Sequence, residues 1–197
     1  MKKFILASQS SRRKHLLSEA GYQFDVVVSH ILENFDPSLS AEQNAITIAF
    51  QKAKAVSNQT TGIILAADTL VALDQDLLGK PKDKEDAFRI LTRLSNRSHS
   101  VITGFVVYDT VSQKYHKEAI STTVTFKKLT PSQIENYLLE KDRYMDKAGA
   151  YGYQDGAAQF VASIVGSATN IVGLPIEAVS LALKKFGIAS VCSSDSA

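Results

Sequence analysis

The spacing of apolar positions changes repeatedly along the chain, and the changes mark out an alternating series of strands and helices. Phe4–Ala7 is a short apolar run and is predicted as a buried strand. A helix is predicted over Ser11–Ala20, with Leu16, Leu17 and Ala20 on its apolar side and Gly21 as its stop. Gln23–Val28 reads as a second strand. Ser40 and Gln43 form an S-x-x-Q capping box, and Ala45, Ile46, Ala49, Phe50, Ala53 and Val56 follow at helical spacing. Ile63–Ala67 is apolar throughout and is predicted as a central strand. Asp74-Gln75-Asp76 marks a turn after Leu70–Leu73. A helix over Lys84–Leu94 follows, with Ala87, Ile90, Leu91 and Leu94 on one face. Two long strands, Ser98–Tyr108 and Tyr115–Phe126, are joined at Asp109–Gln113 as a hairpin. Thr130 and Gln133 form a second capping box, with Pro131 at the first helical position. The last elements are a strand over Gln159–Val165 and a helix over Pro175–Phe186 that buries Ile176, Val179, Leu183 and Phe186 and stops at Gly187. The expected fold class is α/β, a curved mixed sheet flanked by helices. One domain is expected over residues 1–190, with residues 191–197 as a serine-rich, disordered tail.

Composition narrows the function classes. The 197 residues carry a net charge of +2 and are 45% hydrophobic, with a pI of about 8.5. Nucleic-acid binders usually show a basic stripe and a pI above roughly 9, whereas the basic residues here are scattered, so neither nucleic acid nor an anionic membrane is an expected partner. Cys192 is the one cysteine, which excludes an intramolecular disulfide and fits a reducing compartment. The opening MKKFILASQSSRRK has too short an apolar stretch for a signal peptide, and no apolar run approaches the ~18 residues of a membrane span. The expected location is the cytoplasm.

Polar residues gather where apolar strands end, which is where α/β sheets place ligand sites. Ser8-Gln9-Ser10-Ser11-Arg12-Arg13 lies between the first strand and its helix. A helix start offers free N–H groups and a positive dipole end to an anion, and arginine adds planar forks that match phosphate. The plainer reading is a serine cap followed by two solvated arginines. Asp68-Thr69 directly follows Ile63–Ala67. A carboxylate there must be paired, hydrogen-bonded or metal-bound, so Asp68 is a metal ligand, a general base, or a structural turn cap. Lys80, in Gly79-Lys80-Pro81, is a phosphate-binding candidate or a solvated loop lysine. Lys52 and Lys54 lie on the helix after Ser40, where lysines usually form a solvated face. Asp146 to Gln154 is rich in small residues that allow close backbone approach. Glu33 is an isolated carboxylate and a second candidate metal ligand. No Walker loop, dinucleotide fingerprint or Cys/His zinc spacing occurs, and His99 is either a catalytic candidate or, as is commoner at a helix-to-strand turn, structural. Several cations with two or three carboxylates fit a polyphosphate and a divalent metal better than acyl transfer or redox chemistry.

In order along the chain, LASQSSRRKHLL, KAKA, AADTLV, GKPKDKEDA, LSNRSHSVITG, DKAGAYGYQ and NIVGLP resemble the motifs of the Maf family of nucleotide pyrophosphatases, also called septum-formation inhibitors. The resemblance reaches from near the first residue to about Pro175. It implies a mixed sheet forming a substrate cleft, like that of inosine triphosphate pyrophosphatases. It also implies hydrolysis of a nucleoside triphosphate to monophosphate and pyrophosphate. The Tyr151-Gly152-Tyr153-Gln154 segment resembles the dTTP/UTP branch, with CTP or modified pyrimidine nucleotides as further candidates. By the resemblance, Asp68 is the catalytic proton acceptor and Arg12, Thr69 and Gln154 are specificity positions. Ser8, Arg13, Lys52 and Lys80 hold phosphates, and Glu33 with Asp68 binds Mg²⁺ or Mn²⁺. A homodimer is a further family expectation. The chain departs from the family pattern at Ser11, Asn96 and Asp155, where the family has Pro, Gly and Gly. The alternatives are a non-catalytic nucleotide-sensing regulator of cell division and a pyrophosphatase of the 7-methyl-GTP type.

Overall fold

In the computed structural model, which describes residues 2–191, the expected α/β class is borne out. The strands are β1 (Phe4–Leu6), β2 (Asp25–Val26), β3 (Ile63–Leu73), β4 (Asp76–Leu78), β5 (Ser98–Asp109), β6 (Tyr115–Phe126) and β7 (Val161–Val165). They form one mixed sheet in the order β2-β1-β3-β5-β6-β7, with β4 beside β3. β1 pairs parallel with both β2 and β3, while β4 on β3 and β7 on β6 are antiparallel. The helices are α1 (Ser11–Glu19), α2 (Ala41–Ser57), α3 (Lys84–Leu94), α4 (Pro131–Tyr137), α5 (Ala168–Val172) and α6 (Ile176–Lys185). Contacts divide the chain into two compact units. The first comprises residues 1–68, 103–120 and 173–197, and the second residues 69–102 and 121–172.

The first unit is built around β1, the opening half of β3 and helix α2. Ile5, Ala7, Ala49, Ala53, Val56, Ile64, Ala66, Val106 and Tyr108 form one buried cluster. Both halves of the Ser40/Gln43 capping box are made, so α2 starts where the motif places it. Its inward stripe is Ala45, Ile48, Ala49, Ala53 and Val56, and it also contains Asn44 and Lys52. Ile46 and Phe50, expected inside, are only half-buried. A Cβ at Gly104 on β5 would collide with the backbone of Ala45 and Ile46, so glycine is needed there for helix and strand to close. The second strand is two residues long rather than six, because β1 offers it only Ile5 and Leu6 as partners. In α6 the buried residues are Val179, Ala182 and Leu183, with Ile176 and Phe186 half-buried. Within the proposed tail, the Val191 N–H donates to Gly21 O at 2.8 Å. Residues 192–197, including Cys192, lie outside the described residues.

The second unit packs α3 and α4 onto the sheet through Val71, Leu91, Leu94, Val124, Phe126, Tyr137 and Phe160. The Thr130/Gln133 capping box and Pro131 begin α4 as expected. β7 starts two residues later than its sequence pattern, because Ala157–Phe160 form a 3₁₀ turn that buries Phe160 against Phe126 and Tyr137. His99 is 3% exposed, edge-on to Phe126 and Tyr151, and its Nε2 lies 2.8 Å from the Tyr151 hydroxyl. Its Nδ1 meets no hydrogen-bond partner among the described residues.

Burial pushes the His99 pKa down from 6.5 to about 4, so a proton binds more readily to the unfolded chain. His99 therefore costs nothing above pH 6.5, and stability falls as the pH drops from there towards 4, by about 2–3 kcal/mol near pH 4.5. Urea titrations at pH 7.5 and 4.5 check this: His99→Phe removes that part of the acid sensitivity, and an unchanged pH dependence contradicts it.

Candidate active site

The first unit gathers six of the candidate site residues marked in the sequence. β1 ends at Leu6, and the chain turns through Ser8 into α1. Ser10 caps this helix by accepting from the Arg13 N–H. Ser8 is 7% exposed, and its hydroxyl accepts from Ser10 N at 3.2 Å and from Arg13 Nη1 at 3.4 Å. The Arg13 Nε–H donates to the Gly173 carbonyl at 2.8 Å, fixing the plane of the guanidinium. Arg12 follows the same cap and adds its charge to the neighbourhood of Arg13.

Asp68 lies in β3, directly after Ile63–Ala67, and is 6% exposed. The expectation that a carboxylate here must be compensated is met by Lys52. Its Nζ lies 2.7 Å from Asp68 Oδ1 and 2.7 Å from Glu33 Oε1, with the Ala67 carbonyl at 3.5 Å. An ammonium has three donors, and all three have acceptors here. Lys52 is therefore not part of a solvated helix face. It is buried at 7% exposure because it falls on the inward stripe of α2, one turn beyond Ile48 and flanked by Ala49 and Ala53. Lys54 does face outward, donating to the Tyr108 hydroxyl at 2.8 Å and lying over its ring.

Arg13 joins the same cluster. Burial lowers its pKa from 12.5, while Asp68 and Glu33 act against that and Arg12 acts with it. Two buried or half-buried cations thus face two carboxylates, beside the amino end of a helix. Asn44, not singled out in the sequence, holds the segment that carries Glu33. Its Oδ1 accepts from Asp36 N at 2.8 Å, and its Nδ2 donates to Asp36 O at 2.9 Å. The signal was an asparagine inside the apolar stripe of α2. Glu33 and Asp68 sharing one cation is a donor set that suits Mg²⁺ or Mn²⁺, since Mg²⁺ usually takes one or two carboxylates and completes its shell with water and phosphate oxygens. No group of three or more His, Cys, Asp or Glu placed to hold a metal ion occurs among the described residues.

The remaining site candidates lie in the second unit. Thr69 is half-buried and begins it. Lys80 is exposed after β4, beside buried Pro81, and the neighbouring Gly79 carbonyl accepts from Gly149 N at 3.1 Å. Gln154 is exposed in a turn whose base is tightly built. Gly152 N donates to the Tyr137 hydroxyl at 3.0 Å, and the Tyr137 hydroxyl donates to Arg143 O at 2.7 Å. Burial pushes the Tyr137 pKa up to about 12. Lys147, whose place in the site the sequence left open, is 6% exposed and paired with Asp146 at 2.6 Å and Asp155 at 3.3 Å. A Cβ at Gly152 would strike the Asp155 carboxylate and the Lys147 stem.

The family model described as "Maf-like protein" matches residues 3–186. A protein of Alkaliphilus oremlandii named dTTP/UTP pyrophosphatase is 44% identical over 93% of this chain and 96% of its own. Proteins of the same name from Bacillus pumilus, 42% identical over 95% and 98%, and Citrifermentans bemidjiense, 44% identical over 93% and 95%, are similarly close. Among solved structures, a HAM1 protein from Coxiella burnetii matches with a TM-score of 0.52 over 94% of this chain and 100% of that one. At 16% identity this likeness shows the fold alone.

The Arg13 fork gives a stability test. Arg13→Lys keeps the charge but loses the directed Nε–H bond to Gly173, which should cost about 1–3 kcal/mol. Urea unfolding of the variant at neutral pH measures it, and an unchanged midpoint rules out this anchoring.

Proposed function

This chain belongs to the Maf family, and on that premise we propose that it hydrolyses dTTP and UTP to the nucleoside monophosphate and pyrophosphate. The observation that carries the reading is the buried Lys52–Glu33–Asp68 cluster beside Arg13 and the start of α1. The relatives named dTTP/UTP pyrophosphatase, 40–44% identical, give the substrates. CTP and modified pyrimidine nucleotides belong to the same substrate class. The proposal includes a cytoplasmic setting, which accords with the absence of any helix among the described residues long and apolar enough to cross a membrane. It also includes a homodimer, by the family resemblance.

In this reading Asp68 accepts the proton of the water that attacks the α-phosphorus in line with the departing pyrophosphate. Arg13 presents a guanidinium held in plane by Ser8 and Gly173, so phosphate oxygens meet a fork already oriented. Ser8 and the first turn of α1 add neutral donors for the same oxygens. Lys52 and Lys80 balance charge on the leaving pyrophosphate. Glu33 and Asp68 would hold Mg²⁺ or Mn²⁺, which when bound supplies charge neutralisation and polarisation of phosphoryl oxygens. Gln154 reads the base edge, since its amide both donates and accepts, as the N3–H and O4 of uracil or thymine require. Arg12 and Thr69 complete the specificity set.

Product analysis is the direct test. UTP or dTTP with Mn²⁺ or Mg²⁺ should give monophosphate and pyrophosphate, and Asp68→Asn should lower kcat by roughly 10²-fold or more while remaining folded. Diphosphate and orthophosphate as products would exclude attack at the α-phosphorus. Binding without turnover would favour a nucleotide sensor, and preference for 7-methyl-GTP would move the chain to the other specificity type.

A second test separates base reading from phosphate holding. Gln154→Ala should shift the kcat/KM ratio between UTP and other triphosphates by up to tens of fold, through loss of a hydrogen-bonded base edge worth about 1–3 kcal/mol. Lys80→Ala should lower kcat/KM for all triphosphates alike. If Gln154→Ala slows all substrates equally while Lys80→Ala reorders them, the assignment is reversed.

A further inference from the structure

Lys52 holds a position that two roles compete for. Its ammonium occupies the space between the Glu33 and Asp68 carboxylates, at 2.7 Å from each. Those are the oxygens that a divalent ion would take. A phosphate-holding role requires the same Nζ to face the substrate instead. Both cannot be satisfied at once, because an ammonium and a dication sharing two carboxylate oxygens repel each other at short range, in a place where water screens poorly. Nor can Lys52 remain buried without acceptors, since an unpaired buried charge is costly.

We propose that Lys52 is an exchangeable internal cation. In the metal-free protein it neutralises Glu33 and Asp68. When a divalent ion binds these carboxylates, the ammonium is displaced and swings on its four-carbon stem towards the polyphosphate. Metal entry thereby releases a phosphate-binding charge, and a polyphosphate that captures the ammonium in turn frees the metal ligands. The two ligands then assist each other through one side chain, as linkage requires. The neighbouring groups permit the exchange. Ala49 and Ala53 flank Lys52 on the helix with small side chains, and Glu33 keeps 35% of its side chain exposed, so a hydrated ion can reach it. Arg13, tied to Gly173 and Ser8, stays in place and preserves part of the charge balance. The proposal rests on the reading of Glu33 and Asp68 as metal ligands.

The test uses the full chain without nucleotide. Mn²⁺ affinity is measured by calorimetry, or by the spin-resonance signal of free Mn²⁺, for the wild type and for Lys52→Met, Asp68→Asn and Lys52→Met/Asp68→Asn. Removing the competing ammonium should tighten Mn²⁺ binding about tenfold or more in Lys52→Met, and Asp68→Asn should abolish the gain. In parallel, the wild type is treated briefly with an amine-acylating reagent and Lys52 is followed by mass spectrometry. Lys52 should be protected without metal and become reactive on addition of Mn²⁺, while Lys54 reacts equally in both conditions. Equal Mn²⁺ affinity in wild type and Lys52→Met, or Lys52 protection indifferent to Mn²⁺, overturns the exchange. If Asp68→Asn leaves Mn²⁺ binding unchanged in both backgrounds, the metal assignment itself fails. The labelling arm needs no variant, so a Lys52→Met protein that does not fold leaves the proposal testable.

Discussion

Putting a carboxylate in the middle of a buried strand obliges the protein to bring a cation to it, and much of the first unit is arranged to do so. Asp68 and Lys52 each keep 8% of their side-chain surface, so neither relies on water for compensation. Removing one partner of such a pair usually costs more than the pair itself contributes, because the other is left charged and dry. Glu33 and Arg13 extend the pair to two carboxylates and two cations. A cluster balanced in this way has little spare positive charge for a polyphosphate.

The backbone brings these groups together through a small number of close fits. Helix α2 carries Lys52 to β3 only because β5 has no side chain at Gly104, where the backbone of Ala45 and Ile46 lies against it. Asn44, two turns before Lys52 on α2, binds the backbone of Asp36 in both directions and so restrains the segment that carries Glu33. One helix thus bears the cation and also fixes the approach of one of its anions. This is a reason to find polar residues at Asn44 and Lys52 within an otherwise apolar stripe.

Much of this was legible in the sequence, and the failures have causes. Asp68 stood out because a fully apolar run can end in a carboxylate only if something compensates it. The capping boxes at Ser40 and Thr130 placed two helix starts to the residue, since both reciprocal bonds are local. Residue type alone leaves Lys52 undecided, because lysines usually face solvent, although its spacing from Ile48 and Val56 puts it on the inner face. The length of β2 could not be read from its own residues, because it is limited by the three residues of β1. The roles of Asn44 and Lys147 depend on partners that spacing alone does not reveal: a backbone segment eight residues away for Asn44, and the return of a turn for Lys147. The division into two compact units was equally hidden, since β3, β5 and β6 each run through both without a break in pattern.

The Gln154 turn shows how an exposed residue, here the one proposed to read the base, can be held still. Gln154 itself is solvent-facing, yet the chain around it is fastened from beneath. The Gly152 N–H is bound by Tyr137, and the Gly152 carbonyl accepts from both Asp155 N and Ala157 N. Lys147 closes the base with Asp155. Tyr137 remains a neutral phenol across the working pH range, since burial raises its pKa, so its hydroxyl keeps one proton to donate and lone pairs to accept. An amide on a loose loop would lose conformational entropy each time it met a base. On a fastened turn that cost is met during folding. Asp155, which stands where the family pattern has glycine, then acts on the rigidity of the platform and need not touch the base. On the proposed reading of Gln154, substrate preference changes through residues beneath the turn while Gln154 stays the same.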